Sequence, residues 1–193
     1  GMEAEMAQDG ALFNRWRANL VRDLTGDILE IGVGKGENLP YYTHADRIWA
    51  IEPDLARAED ARAAAVTQSI PVVVDVAPAE HLPYGDDSFD NVVCSLVFCS
   101  VTEPETALAE IQRVLRPHGV VHLVEHVRPN NRWLAHFFTR ITPWWSTVAY
   151  NCHLDRPTID VLRAAGWTVT IHRRLAVFVR MSAVFNGTTP PQN

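Results

Sequence analysis

The chain has 193 residues, 47% of them apolar, which fits one folded domain with a sizeable core and excludes a disordered chain. Its formal charge is −6, which speaks against a nucleic-acid backbone as the main partner. No run of 18 apolar residues exists, which speaks against a transmembrane helix.

Helical and strand patterns alternate from the start. Residues 4–24 read as an amphipathic N-terminal helix with Leu12, Trp16, Leu20 and Leu24 on one face. Residues 28–31 make a first strand, 37–42 a short helix, 47–51 a second strand and 55–66 an alanine-rich helix. Strands over 72–76 and 89–95 follow, then a helix over 106–115 whose Ala107, Ile111, Val114 and Leu115 face inward. Pro117 and Gly119 stop that helix, and 120–127 is a fifth strand. Residues 131–141 and 157–165 read as helices, and 167–172 and 176–184 as two late strands. The short link between those strands favours an antiparallel pair. Five strands separated by crossovers require a parallel sheet with helices on both faces. The expectation is a Rossmann-like α/β fold over residues 1–193: a seven-stranded, mostly parallel sheet with an antiparallel last strand. Residues 131–156 form an aromatic, lid-like insertion within it, and the last residues, 186–193, are expected to fray.

Three cysteines, Cys94, Cys99 and Cys152, lack paired C-x-x-C spacing. They read as thiols of a cytoplasmic protein rather than as a disulfide framework. The polar, acidic opening residues read as having no secretory leader.

The densest chemical signal is residues 27–36, D-I-L-E-I-G-V-G-K-G. A strand runs into Gly32, Gly34 and Gly36 and continues toward a helix, as loops that bind nucleotide-like ligands do. Glu52, ending the second strand 20 residues after Gly32, is placed to accept the two hydroxyls of a ribose. A dinucleotide fingerprint would put its third glycine where Glu37 stands. Glu30, beside the loop, would repel a pyrophosphate but attract a cation or an amino group. S-adenosyl-L-methionine carries both a sulfonium and an ammonium, so it fits better than a nicotinamide. A nicotinamide oxidoreductase and an inactive cofactor-binding protein are the alternatives.

These residues resemble a class I S-adenosylmethionine-dependent methyltransferase of the type 11 group. The resemblance rests on the glycine motif, Glu52, the run A-E-H-L-P-Y-G-D-D-S-F-D over 79–90, N-V-V-C-S over 91–95 and V-L-R-P-H-G over 114–119. The runs over 94–101, 125–127 and 151–156, with Ala165-Gly166-Trp167, resemble the alkyl thiol methyltransferases more narrowly. Animal members of that group carry an N-terminal apolar membrane segment that this sequence does not show. The resemblance implies that Glu30, Gly32, Gly34 and Gly36 hold the methionine half of the cofactor. It implies Glu52 at the ribose, Pro53 beside the adenine, and Ala79 with Glu80 at the adenine edge. Cys94, Ser95 and Leu96 would pass the methionyl group by backbone contacts. Relatives often have an aspartate where Pro78 stands here, which leaves the acceptor for the adenine amino group open.

Methyl transfer from a sulfonium is an in-line displacement that depends chiefly on positioning. A thiol acceptor can arrive as its thiolate, since an ordinary thiol has a pKa of about 8.5. His126, near the end of the fifth strand, is the candidate base, with a packed strand-end histidine as the other reading. Glu125 points to the opposite face if that strand is regular. Cys152 and His153 sit in a loop before a helix, and Cys99 follows the fourth strand; a zinc site from these residues has no supporting ligand spacing. The aromatic stretch over 133–150 reads as a lid selecting a lipophilic acceptor, a packing segment or a dimer face. The implied partner is a small, apolar acceptor, with a thiol, a phenol, an amine or a lipid head group all open.

Overall fold

The computed structural model describes residues 13–98, 100–126, 140, 157–175 and 178–186. Seven strands lie in one sheet: β1 (Thr25–Ile31), β2 (His44–Ile51), β3 (Val72–Asp75), β4 (Phe89–Ser95), β5 (Leu115–His126), β6 (Trp167–Leu175) and β7 (Phe178–Phe185). Their order is β3-β2-β1-β4-β5-β7-β6. The first five are parallel to one another, and β7 runs antiparallel between β5 and β6. The late hairpin therefore joins the sheet through its second strand, leaving β6 at the rim. Among the described residues run helices α1 (residues 13–21), α2 (Leu55–Ala65), α3 (Pro104–Val114) and α4 (Thr158–Ala164), with a short 3-10 turn at Leu39–Tyr41.

Side-chain alternation splits the core between the two faces of the sheet. Leu29 and Ile31 of β1, with Val92 and Cys94 of β4, meet α3 and Leu162 of α4. Ile28, Ile48, Ala50 and Val93 face the other way, against Trp16, Leu20 and Val21 of α1 and Ala58 and Ala61 of α2. Helix α3 shows the logic most clearly. Ala107, Leu108, Ile111 and Val114 fall on one stripe and are buried. Covering Leu108 and Ile111 contributes about 1.5–3 kcal/mol each. Helix α2 lacks such a stripe of large residues. Its alanines allow close approach to the sheet, and Asp54 caps it by accepting from the Arg57 amide at 2.9 Å.

Some element bounds differ from the sequence expectation, for local reasons. Strand β1 starts at Thr25 because Thr25, Gly26 and Asp27 pair with β2 through their backbones, which apolar patterning does not register. Residues 37–42 form a turn and a 3-10 segment rather than a helix, with Pro40 removing a backbone donor. Helix α3 ends at Val114, and Leu115, expected as its last inward residue, opens β5 instead. Arg116 precedes Pro117, so the chain must be extended there. In α1, Trp16 and Leu20 are buried as the stripe expects, while Leu24 lies beyond the helix end. Leu12, the helix over 131–141, the lid-like insertion over 131–156 and the chain end after 186 lie outside the described residues.

The sheet order reverses between β1 and β4: the chain goes on to β2 and β3 on one side and to β4 and β5 on the other. Loops leaving the carboxyl ends of β1 and β4 therefore diverge, and the crevice between them is where open α/β sheets bind ligands.

Candidate functional site

A cavity of about 690 Å³ opens at this crevice. Its walls come from the segments that follow four adjacent strands: Ala79 after β3, Glu52 and Pro53 after β2, Glu30 to Gly34 from β1, and Ser95 to Val97 from β4. Neighbouring strands lie about 4.8 Å apart, so the cavity crosses roughly 14 Å of sheet edge and suits an elongated ligand.

The loop after β1 is set by its backbone. Gly32 and Gly34 have φ of 68° and 61°, in the left-handed region. The amides of Gly32 and Val33 both donate to the Ile51 carbonyl, at 2.9 and 3.0 Å. A Cβ on Gly32 would stand 2.8 Å from Val97 Cγ2, and one on Gly34 would meet the ends of Arg57 and Glu37 at 2.8 Å. Gly36 stands off the cavity lining. It packs on α2, where a Cβ would come within 3.0 Å of Ala64 Cβ and Leu39 Cδ1. Of the three glycines expected to hold the methionine half, Gly32 and Gly34 line the cavity and Gly36 does not. Its part is close approach of the loop to a helix, because the turn has already carried it away from the strand ends.

Two acids face the cavity from the ends of β1 and β2. Glu52 is buried and accepts from the Gly34 amide at 3.0 Å and the Asp54 amide at 3.2 Å, with Arg57 Nη1 at 3.9 Å. Glu30 is buried too and accepts from Asn38 Nδ2 and the Tyr42 hydroxyl, each at 2.8 Å. Burial pushes the Glu30 carboxyl up to about 7, against the pull of those two hydrogen bonds. The same burial, with Glu30 beside it, pushes the Tyr42 hydroxyl well above its ordinary value. Asn38 Oδ1 is buried and has no hydrogen-bond partner among the described residues.

The segment after β4 forms the third wall. Leu96 lines the cavity with φ of 58°, an uncommon conformation for a residue with a branched side chain. It is held there on both sides. Its amide donates to the Val124 carbonyl at 2.7 Å, and the next two amides, Val97 and Phe98, donate to Glu125 Oε1 at 2.9 and 3.0 Å. Sequence alternation set Glu125 aside as facing away from the ligand. It is in fact fully buried beneath the loop that lines the cavity, a support that the sequence reading missed. The available signal was an acid directly after the largely apolar strand run over 120–124.

Of the other expected residues, Pro53, Ala79, Glu80 and Ser95 also line the cavity. Glu80 Oε1 accepts from the amides of Thr102 and Glu103, at 3.1 and 3.2 Å, and so holds the start of α3 near the rim. Cys94 does not line it. Its side chain is buried on the α3 face, where burial, then Glu125 and Glu30, raise its thiol pKa well above the ordinary value. His126 ends β5 opposite Phe178, and its side chain lies outside the described residues, as do Cys99, Cys152 and His153. Among the described residues no three His, Cys, Asp or Glu side chains gather as a metal ion would need, and no helix is long and apolar enough to cross a membrane.

A doubly wound sheet, a glycine loop in the left-handed conformation and an acid at each of two neighbouring strand ends define a Rossmann-like methyltransferase fold. The family described as methyltransferase domain matches residues 29–123. Thiol S-methyltransferase TMT1B from Homo sapiens is 33% identical over 148 residues, covering 72% of this chain and 60% of that protein. Phosphatidylethanolamine N-methyltransferase from Cereibacter sphaeroides is 29% identical, covering 70% of this chain and 68% of that protein. A solved S-adenosylmethionine-dependent methyltransferase from Mesorhizobium loti has the same fold, with a TM-score of 0.63 at 18% identity over 88% of this chain and 95% of that one. The chain is similar to this methyltransferase family over residues 29–123, just under half of its length. It spans about three fifths of the length of the thiol S-methyltransferases it matches.

Proposed function

We propose that this chain is an S-adenosyl-L-methionine-dependent methyltransferase whose acceptor is a small apolar thiol. The observation that carries the reading is the pair of buried acids, Glu30 and Glu52, facing one cavity from the ends of β1 and β2 with the Gly32–Gly34 turn between them. The residues suit the cofactor. A cradle that any Cβ at Gly32 or Gly34 would crowd lets a ligand approach the backbone, and the volume lies within the range of small-molecule sites. When bound, S-adenosylmethionine supplies a methyl group already activated on a sulfonium.

In this reading Glu52 accepts the ribose hydroxyls, with Pro53 beside the adenine and Ala79 and Glu80 at its edge. Glu30, Gly32 and Gly34 hold the methionine half, and the backbone of Ser95 and Leu96 closes on it, with Cys94 and Gly36 supporting from behind. An acid at Glu30 favours a cationic ligand end and disfavours a pyrophosphate, which supports this cofactor over a nicotinamide. His126 is the candidate base for any acceptor proton. A thiol with an ordinary pKa is already a few per cent thiolate at neutral pH, so orientation rather than proton removal dominates its activation. The thiol follows from the 33% identity to a thiol S-methyltransferase. A single domain in the cytoplasm, whose own cysteines lack paired spacing, goes with this reading.

Calorimetry with S-adenosylmethionine, S-adenosylhomocysteine and NAD tests the cofactor, and binding of NAD alone would sink the proposal. An acceptor screen that follows S-adenosylhomocysteine release tests the acceptor. Methylation of phosphatidylethanolamine with no turnover of small alkyl thiols would replace the thiol by a lipid head group. His126→Ala is expected to slow turnover with unchanged cofactor affinity; normal turnover removes it as the base.

A further inference from the structure

We propose that the corner where α1 meets β6 and β7 is an anion site, at which Arg22, Arg173 and Arg180 take a phosphoryl group. It is separate from the cavity, which none of the three arginines lines. Arg173 and Arg180 are direct cross-strand partners beside the rim of the sheet, a placement in which like charges repel. Helix α1 brings the third cation to them. Arg180 Nη1 donates to the Asn19 carbonyl at 2.6 Å, and Arg22 follows Asn19 by about one helical turn, its amide donating to the Ala18 carbonyl at 3.0 Å. The Arg173 guanidinium lies 5.7 Å from the ring centre of Trp16, on the same helix. Burial, then the charges of Arg173 and Arg22, lower the Arg180 pKa below its ordinary value, in keeping with that convergence.

The corner holds donors in excess of acceptors. Among the described residues neither Arg173 nor Arg180 has a carboxylate in ion-pair range. Arg22 has Asp23 at 3.5 Å, an exposed pair that contributes little. Trp16 adds a further donor: it is 4% exposed, and its buried Nε1 has no acceptor among the described residues. Buried donors in folded proteins are rarely left so. The chain as a whole carries a formal charge of −6, so this positive corner runs against the sign of the rest. An anion supplies both missing parts, negative charge and acceptor oxygens. Guanidinium forks arriving from three elements suit a tetrahedral oxyanion, whose oxygens accept from several directions. A planar carboxylate is satisfied by a single fork.

Inorganic phosphate titrated into the full chain at constant ionic strength tests the site, with the arginine side-chain N–H resonances followed by NMR. Saturable shifts are expected, absent with chloride and weakened about tenfold in Arg173→Gln. Arg173→Lys keeps the charge without the fork and should recover part of the loss. Arg180→Gln should weaken binding as well, but it also removes the donor to Asn19. Arg173 is exposed on the rim strand, so its variants carry the test if Arg180→Gln melts early. Sedimentation with phosphatidylcholine vesicles, with and without phosphatidic acid, separates the sources of the phosphoryl group. Retention on the acidic vesicles by the unaltered chain, lost in Arg173→Gln, assigns it to a lipid surface. Phosphate shifts without such retention assign it to a soluble ligand. No response to either probe, a response that chloride reproduces, or an unchanged response in Arg173→Gln would overturn the site.

Discussion

The Gly34 amide donates to Glu52 Oε2 at 3.0 Å, tying the glycine loop after β1 to the acid that ends β2. One carboxylate thus shapes the cradle and faces its contents. Glu52→Ala removes the acceptor for the Gly34 and Asp54 amides, at a cost of about 1–3 kcal/mol for the buried Gly34 donor left unsatisfied. It should lower S-adenosylhomocysteine affinity by more than about tenfold. Urea unfolding and calorimetry check the two effects, and an unchanged affinity removes Glu52 from the ribose.

The two cradle glycines should differ in tolerance. Both have positive φ, so alanine costs about 1–2 kcal/mol of backbone strain at either. At Gly34 the new Cβ meets only the flexible ends of Arg57 and Glu37. At Gly32 it meets the branched Val97, which is held by Glu125 through its amide. Gly32→Ala should therefore lose more stability and more cofactor affinity than Gly34→Ala. Thermal melts with and without S-adenosylhomocysteine rank the two variants; the reverse order would refute the steric account.

Glu30 predicts a pH dependence. Its carboxyl is raised from 4.5 to about 7 in the folded chain, so the folded state holds a proton that the unfolded state has lost across that interval. Stability is then greatest below about pH 4.5 and falls as pH rises to about 7, by a total of about 3 kcal/mol. Glu30→Gln should flatten this part of the stability profile, measured by urea unfolding between pH 5 and about 8. Cofactor binding near pH 6 should release a proton, because an ammonium favours the ionised acid. Calorimetry in buffers of different ionisation enthalpy reads that release directly.

Glu125 should act on the site without touching it. Glu125→Gln keeps an oxygen acceptor for the Val97 and Phe98 amides and should retain most cofactor affinity. Glu125→Leu leaves two buried donors unsatisfied, costing about 2–4 kcal/mol, and frees Leu96 from its left-handed conformation. Affinity should fall with it while 5′-methylthioadenosine and S-adenosylhomocysteine lose alike. Equal behaviour of the two variants in unfolding and calorimetry would show that Glu125 merely fills space.

The sequence by itself determined the parallel sheet, the closing antiparallel pair, the glycine turn and the two strand-end acids. All of these are written locally: period-two and helical patterns mark the elements, and glycines mark backbone that must turn left-handed. Glu30 and Glu52 were legible because a strand end fixes where its next side chain points. Only the tertiary structure decided which residues support that edge. Gly36 turned out to face α2, Glu125 to brace a loop 27 and 28 residues before it in the chain, and Asn38 with Tyr42 to enclose Glu30. These contacts join segments that meet only after the sheet has formed, and their energies depend on burial, which no local pattern encodes. The acid at Glu30 could be read as a charge in the sequence. That it is buried, donated to by two side chains and poised near neutrality follows from packing alone.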